Sequence, residues 1–130
     1  MSGTRDTRLN AGTIEMETAR QYHRARMAQR HEQREQLRLH WLQRIRAVVL
    51  RLAPHYPGVH QVILFGSLIK AGQFRSNSDI DVAVECDTLE EESAFWHALE
   101  QAMDRDIDVR SVTGTVAEIV AREGEMVYGR

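Results

Sequence analysis

Cysteine is almost missing from this chain, with Cys86 alone among 130 residues. No intramolecular disulfide can form, so packing must hold the fold, and a reducing, cytoplasmic setting is expected. Cys86 itself reads as a packing residue. Proline is nearly as scarce, occurring only as Pro54 and Pro57. Between positions 13 and 53 there is neither proline nor glycine, so nothing in that stretch stops a helix. No apolar run approaches the ~20 residues of a membrane span, and no signal-like segment opens the chain. Lysine occurs once, at Lys70, which leaves arginine to carry nearly all the positive charge.

That charge is unevenly spread. Residues 1–60 hold 11 Arg against 5 Asp and Glu, a balance of +6, while residues 61–130 hold 6 Lys and Arg against 14 Asp and Glu, a balance of −8. Within one subunit or between two, the basic half can offset the repulsion that the acidic half exerts on an anionic ligand.

Residues 1–12 are polar and are expected to form a flexible N-terminus. Residues 13–53 should form one long helix with two characters. Leu37, Trp41, Ile45, Val48, Val49 and Leu52 recur at helical spacing and should pack on a sheet. Met16, Ala19, His23 and Met27 form a thinner seam among Arg20, Arg24, Arg26, Arg30 and Arg34, expected as a solvated arm or a contact surface. Residues 54–130 should hold the core domain. Strands are expected over 59–65, 79–85 and 106–112. A helix should open with Thr88 and Glu91 as a capping box and run to Met103, with Phe95, Leu99 and Met103 turned inward. Thr115 and Glu118 should cap a second helix ending near Gly124. Met126-Val127-Tyr128 is a candidate for a last short strand. The expected fold is α/β, a small mixed sheet with flanking helices preceded by a long N-terminal helix.

The stretch that carries chemistry is VILFGSLIKAGQFRSNSDIDVAVE, residues 62–85. In a strand, Asp79 and Asp81 project to one face while Ile80, Val82 and Val84 face the other. Asp disfavours strands, and two neighbouring carboxylates repel unless a cation lies between them, so the pair points to a divalent metal. Gly66 lets the backbone turn sharply at the end of an apolar strand, and Ser67 would offer its N–H and hydroxyl to a phosphate. A phosphate grip beside a carboxylate pair is the equipment of nucleotidyl transfer.

These residues resemble the DNA polymerase β-like nucleotidyltransferase superfamily, whose signature is Gly-Ser, a spacer and Asp-x-Asp at the start of an apolar strand. Within it, the chain is similar to the minimal nucleotidyltransferases, short antitoxins often encoded beside HEPN-family toxins. The resemblance covers about residues 59–128. It implies a third carboxylate on a neighbouring strand, for which Asp108 in Ile107-Asp108-Val109 fits the pattern and Asp106 is the runner-up. It also implies Asp79, Asp81 and Asp108 as catalytic and metal-holding residues, two Mg2+ ions, and ATP held by Gly66, Ser67, Lys70, Arg75 and Ser78. The chain departs from the family where many members have arginine after Gly-Ser. Leu68 stands there, with Lys70 and Arg75 as the candidate replacements. The resemblance further implies AMP as the group transferred, with a hydroxyl of a HEPN-type toxin as acceptor. A helical C-terminal domain of the kind larger relatives carry is not expected, so a partner or second subunit would complete the site. A homodimer through the N-terminal helix is one such arrangement. Two other functions stay open: an antitoxin that acts by contact alone, and transfer to RNA. RNA has little support, because the arginine-rich helix offers only Tyr22 and Trp41 for stacking on bases.

Overall fold

Seven residues with a nearly unbroken apolar pattern, Val59–Phe65, form the strand at the middle of the molecule, β1. A strand apolar on both faces must be covered on both, and here it is. In this computed structural model the backbone is described for residues 2–130 and side chains for residues 12–130. The helix expected over 13–53 begins at Ser2, so residues 2–12, read as a flexible N-terminus, are part of it.

In chain order, α1 spans Ser2–Leu52, then β1 Val59–Phe65, β2 Ile80–Cys86, α2 Leu89–Met103, β3 Ile107–Ser111, α3 Gly114–Glu123 and β4 Glu125–Gly129. A short helical turn, Gly66–Ile69, follows β1. The strands make one sheet in the order β3-β2-β1-β4. β1 runs antiparallel to β2 and β4, and β2 runs parallel to β3, with α2 as the crossover between them. The sheet is therefore mixed, as expected.

The chain divides into two units, residues 1–33 and 34–130. In the second unit, Leu42, Ile45, Val48 and Val49 of α1 and Phe95, Leu99 and Met103 of α2 pack with Val62, Leu64, Ile80, Val82 and Val84 in the larger core. Leu42 joins this face although the helical stripe read from the sequence left it out. Ile63, Phe65 and Ala83 point to the other face, where Val120, Val116 and Ile119 of α3 cover them. In the first unit, Ile14, Met16, Tyr22 and Met27 are exposed, so this stretch builds no core of its own.

Several boundaries differ from the sequence reading. β2 begins at Ile80 and β3 at Ile107, so Asp79 and Asp106 lie just before their strands. Thr88 caps α2 by accepting the Glu91 N–H at 3.2 Å, but the Glu91 carboxylate accepts the Gly58 N–H instead of closing a capping box. Thr113, not Thr115, is the N-cap of α3. At Glu91 a tertiary partner displaces the local motif.

Arg46 of α1 ties the edge strand β4 to the core. Its Nε donates to Glu125 Oε2 at 2.8 Å, and its Nη2 pairs with Glu125 Oε1. This hydrogen bond, helped by the charge of Arg46 and opposed by burial, holds the Glu125 carboxyl below its ordinary range. A lowered carboxyl pKa stabilises the fold above the unfolded value of about 4.3, and that gain is lost as pH falls through the folded value. Both side chains are more than a third exposed, so screening limits the gain. Glu125→Gln should cost at most about 1 kcal/mol at pH 7. The difference from the parent protein should vanish in thermal melts in strong acid. An undiminished difference there would mean that the pair does not carry the effect.

Candidate active site

Gly66 ends β1 with φ at 77°, a left-handed conformation that a side chain would strain. It also leaves room for chemistry, because a Cβ at Gly66 would overlap the Asp81 carboxylate. Glycine is thus required twice at this position, for the turn and for the close approach of Asp81. Phe65 at the end of β1 pairs with Asp81 in the antiparallel register, which brings the turn and the carboxylate together.

The parallel register of β2 and β3 sets Asp81 opposite Asp108. Asp79 sits two residues earlier, on the loop entering β2. Burial raises the pKa of Asp81, and the charges of Asp108 and then Asp79 raise it further, with Arg110 opposing. Neither the Asp79 nor the Asp81 carboxylate is tied by a hydrogen bond or ion pair to another described residue. Asp108 is held on one side by Arg110, whose Nε donates to its Oδ2 at 3.1 Å. Asp106 is exposed, and its carbonyl accepts the Ile80 N–H at 3.5 Å.

Among the described residues, no group of three or more His, Cys, Asp or Glu forms a ready-made metal cage. The donor set nevertheless fits a hard cation. Magnesium is commonly bound by one or two carboxylates and completes its shell with water and substrate phosphate oxygens. Asp81, half-buried, unpartnered and pressed by two further carboxylates, is a group whose charged form a cation would stabilise.

The remaining residues singled out in the sequence lie along the loop from Gly66 to Asp79. Ser67 is half-buried in the helical turn, and its carbonyl accepts the Lys70 N–H. Lys70 forms an ion pair with Glu123 of α3 at 3.1 Å, so any anion must compete for it. Arg75 is exposed. Ser78 closes a turn: its Oγ accepts the Arg75 N–H at 2.9 Å and its own N–H donates to the Arg75 carbonyl at 3.0 Å. The turn sets the direction in which the chain reaches Asp79.

Two sets of residues that sequence reading did not assign to the site hold this loop. Arg38 of α1 donates to the Leu68 carbonyl at 3.1 Å while paired with Glu35, which accepts the Gly72 N–H. Arg105, between α2 and β3, donates through Nη2 to the carbonyls of Ser76 at 3.0 Å and Ser78 at 2.6 Å. Nothing local in the sequence marks either contact, since each joins residues about thirty or more positions apart. Ser76, Asn77, Ser78, Asp79, Arg105 and Asp106 line an open cleft of about 320 Å3 beside Asp79.

The chain matches the family described as polymerase beta, nucleotidyltransferase, over residues 49–130. No curated protein matches significantly. Among solved structures, it is similar to a toxin–antitoxin crystal structure with AMP-PNP, with 30% identity, a TM-score of 0.54, and coverage of 65% of this chain and 73% of the other. It is also similar to a mutant MntA–HpeT toxin–antitoxin carrying two aspartate-to-glutamate changes, with 28% identity, a TM-score of 0.53, and coverage of 66% and 73%. A third similarity is to the structure of a tri-AMPylated Shewanella oneidensis HEPN toxin in complex with MNT antitoxin, with 27% identity, a TM-score of 0.50, and coverage of 68% and 72%.

Proposed function

This chain belongs to the polymerase β nucleotidyltransferase family, and from that premise we propose that it transfers AMP from Mg-ATP to a hydroxyl of a HEPN-type toxin, as that toxin's antitoxin. The observation that carries the reading is the meeting of three features at one sheet end: the Gly66 turn, the unpartnered Asp81 carboxylate against it, and Asp108 in register alongside. Supporting the choice of partner and transferred group, one similar structure is an AMPylated HEPN toxin in complex with MNT antitoxin, and another is a toxin–antitoxin with AMP-PNP.

Asp79 and Asp81 would hold the divalent cations, two in number, with Asp108 as a third ligand or as the base. When bound, such ions lower the pKa of an attacking hydroxyl and neutralise charge on the leaving pyrophosphate. Gly66 and Ser67 present backbone N–H groups and a hydroxyl to the triphosphate. Lys70 and Arg75, on the same loop, add positive charge to it, Lys70 after release from Glu123. The acceptor oxygen forms a bond to the α-phosphorus, the bond from that phosphorus to the bridging oxygen breaks, and pyrophosphate leaves. The hydroxyl proton passes to the Asp108 carboxylate.

The test is incubation of the protein with ATP, Mg2+ and a HEPN-type partner, followed by intact-mass measurement. The partner should gain the mass of one or more AMP groups. A partner of unchanged mass that is still neutralised would favour the second reading, an antitoxin that acts by contact. That reading draws support from the similar structures being toxin–antitoxin complexes.

We assign partner docking or self-association to residues 1–33. This stretch carries an excess of arginine, and its described large apolar side chains, Ile14, Met16, Tyr22 and Met27, are exposed. An acidic surface, on the partner or on a second copy, would complement it. A variant lacking residues 1–33 should keep ATP binding and show weaker, less salt-sensitive association by light scattering at rising ionic strength. Unchanged mass and unchanged partner binding would reduce the stretch to a solvated extension.

A further inference from the structure

Arg105, between α2 and β3, is partly buried against the core. Its guanidinium lies between the rings of Trp41 and Phe74, 4.7 and 4.9 Å from their centroids. Phe74 is fully buried and Trp41 is packed against the main core. Arg105 Nε is buried and has no hydrogen-bond partner among the described residues. A buried donor left unsatisfied opposes folding, and more so when it is charged. An apolar side chain of similar volume would fill the space beside the rings without leaving such a donor. The arginine is therefore not explained by packing between two rings.

Its other nitrogens explain it. Nη2 faces three carbonyl oxygens of a single loop: Ser78 at 2.6 Å, Ser76 at 3.0 Å and Arg75 at 3.4 Å. The Ser78 carbonyl belongs to the peptide bond that begins Asp79. The loop has no regular secondary structure between the turn at 76–77 and Ile80, so it has no strand ladder to hold it. Ser78 closes it locally, and Arg105 holds it from outside. A planar fork pinned between two rings loses little further freedom when it makes these bonds. Asp79 and Asp106 are the carboxylates whose charge acts on Arg105.

We propose that Arg105 is the positioning residue for Asp79. It fixes the 75–79 loop so that the Asp79 carboxylate is presented beside Asp81, and it touches no reacting atom. The proposal rests on the transfer reaction described above for its consequence in activity, but not for its structural content.

The test uses the full chain with Arg105→Met, which keeps apolar bulk between the rings, and Arg105→Lys, which keeps a charge but loses the planar fork. Amide hydrogen exchange is read in the absence of ATP, metal and partner. Exchange at the Arg75 and Ser78 amides, whose N–H groups are hydrogen-bonded within this loop, should quicken at least tenfold in both variants, with exchange in β1 and α2 unchanged. In transfer assays the Mg2+ concentration for half-maximal rate should rise about tenfold, with the KM for ATP changing less than threefold. Slow, parent-like exchange at Arg75 and Ser78 in a folded Arg105→Met would overturn the proposal, as would an unchanged Mg2+ requirement in the presence of faster exchange. A general speeding of exchange across β1 and α2 in both variants would also overturn it, because Arg105 would then hold the whole core. If the parent protein transfers no AMP, the proposed function fails, and the exchange result still decides the role of Arg105.

Discussion

Replacing Asp79 and Asp81 together by asparagine should abolish AMP transfer and leave a protein at least as stable as the parent. The loss should reach a thousandfold or more, which corresponds to about 4 kcal/mol of transition-state stabilisation. Asparagine keeps the size and one carbonyl oxygen of each side chain but removes the charge that a cation needs. The stability change has the opposite sign from that of most substitutions at partly buried positions. Asp81 has a raised pKa because burial and the charges of Asp108 and Asp79 penalise its ionised form. A carboxyl whose folded pKa lies above the unfolded value of about 3.9 opposes folding wherever it is ionised. The penalty is full at neutral pH and disappears as pH falls below the unfolded value. The variant should therefore melt higher than the parent at pH 7 without metal, and this advantage should shrink toward pH 4. A folded variant that transfers AMP at the parent rate would remove the aspartate pair from the centre of the mechanism, and one that melts below the parent at pH 7 would overturn the sign of the stability change.

Asp108→Asn should lower kcat by about a hundredfold to ten-thousandfold, the usual contribution of a positioned general base. The KM for ATP should change little if Asp108 serves the acceptor. Asp106→Asn should cost less than about fivefold, a minor fraction of what a positioned base contributes. The difference follows from register. Asp108 stands opposite Asp81 on the neighbouring parallel strand, whereas Asp106 precedes the strand and faces solvent. Arg110, which now holds Asp108, would have to release it or share it with the acceptor. Single-turnover measurements on both variants separate the two residues. The reverse ranking would move the base to Asp106 and the loop before β3.

Much of the fold was legible because the patterns that encode it are local. The run from Val59 to Phe65 matched β1 at both ends, since a strand buried on both faces needs apolar residues throughout. Phe95, Leu99 and Met103 follow helical spacing and all lie in the core. The capping motifs were less reliable. Glu91 was expected to close a box on Thr88 but reaches Gly58, because a backbone N–H from a distant turn offers it a bond that the local motif cannot match. Lys70, a candidate for the triphosphate, is paired with Glu123 from α3, a contact across about fifty residues that no local pattern contains.

By itself the sequence determined that a glycine turn, an apolar strand and two aspartates two residues apart lie in one short stretch, and that the rest of the chain can bury them in an α/β core. These are properties of neighbours along the chain, and residue type and spacing suffice for them. Tertiary structure alone decided that Asp108 comes to rest beside Asp81, that the Asp81 carboxylate fills the space Gly66 leaves open, and that Arg105 reaches from between two rings to the carbonyls before Asp79. Each of these depends on strand register or on a side chain crossing between elements. Such contacts are set by the packing of the whole sheet and its helices, not by any segment alone.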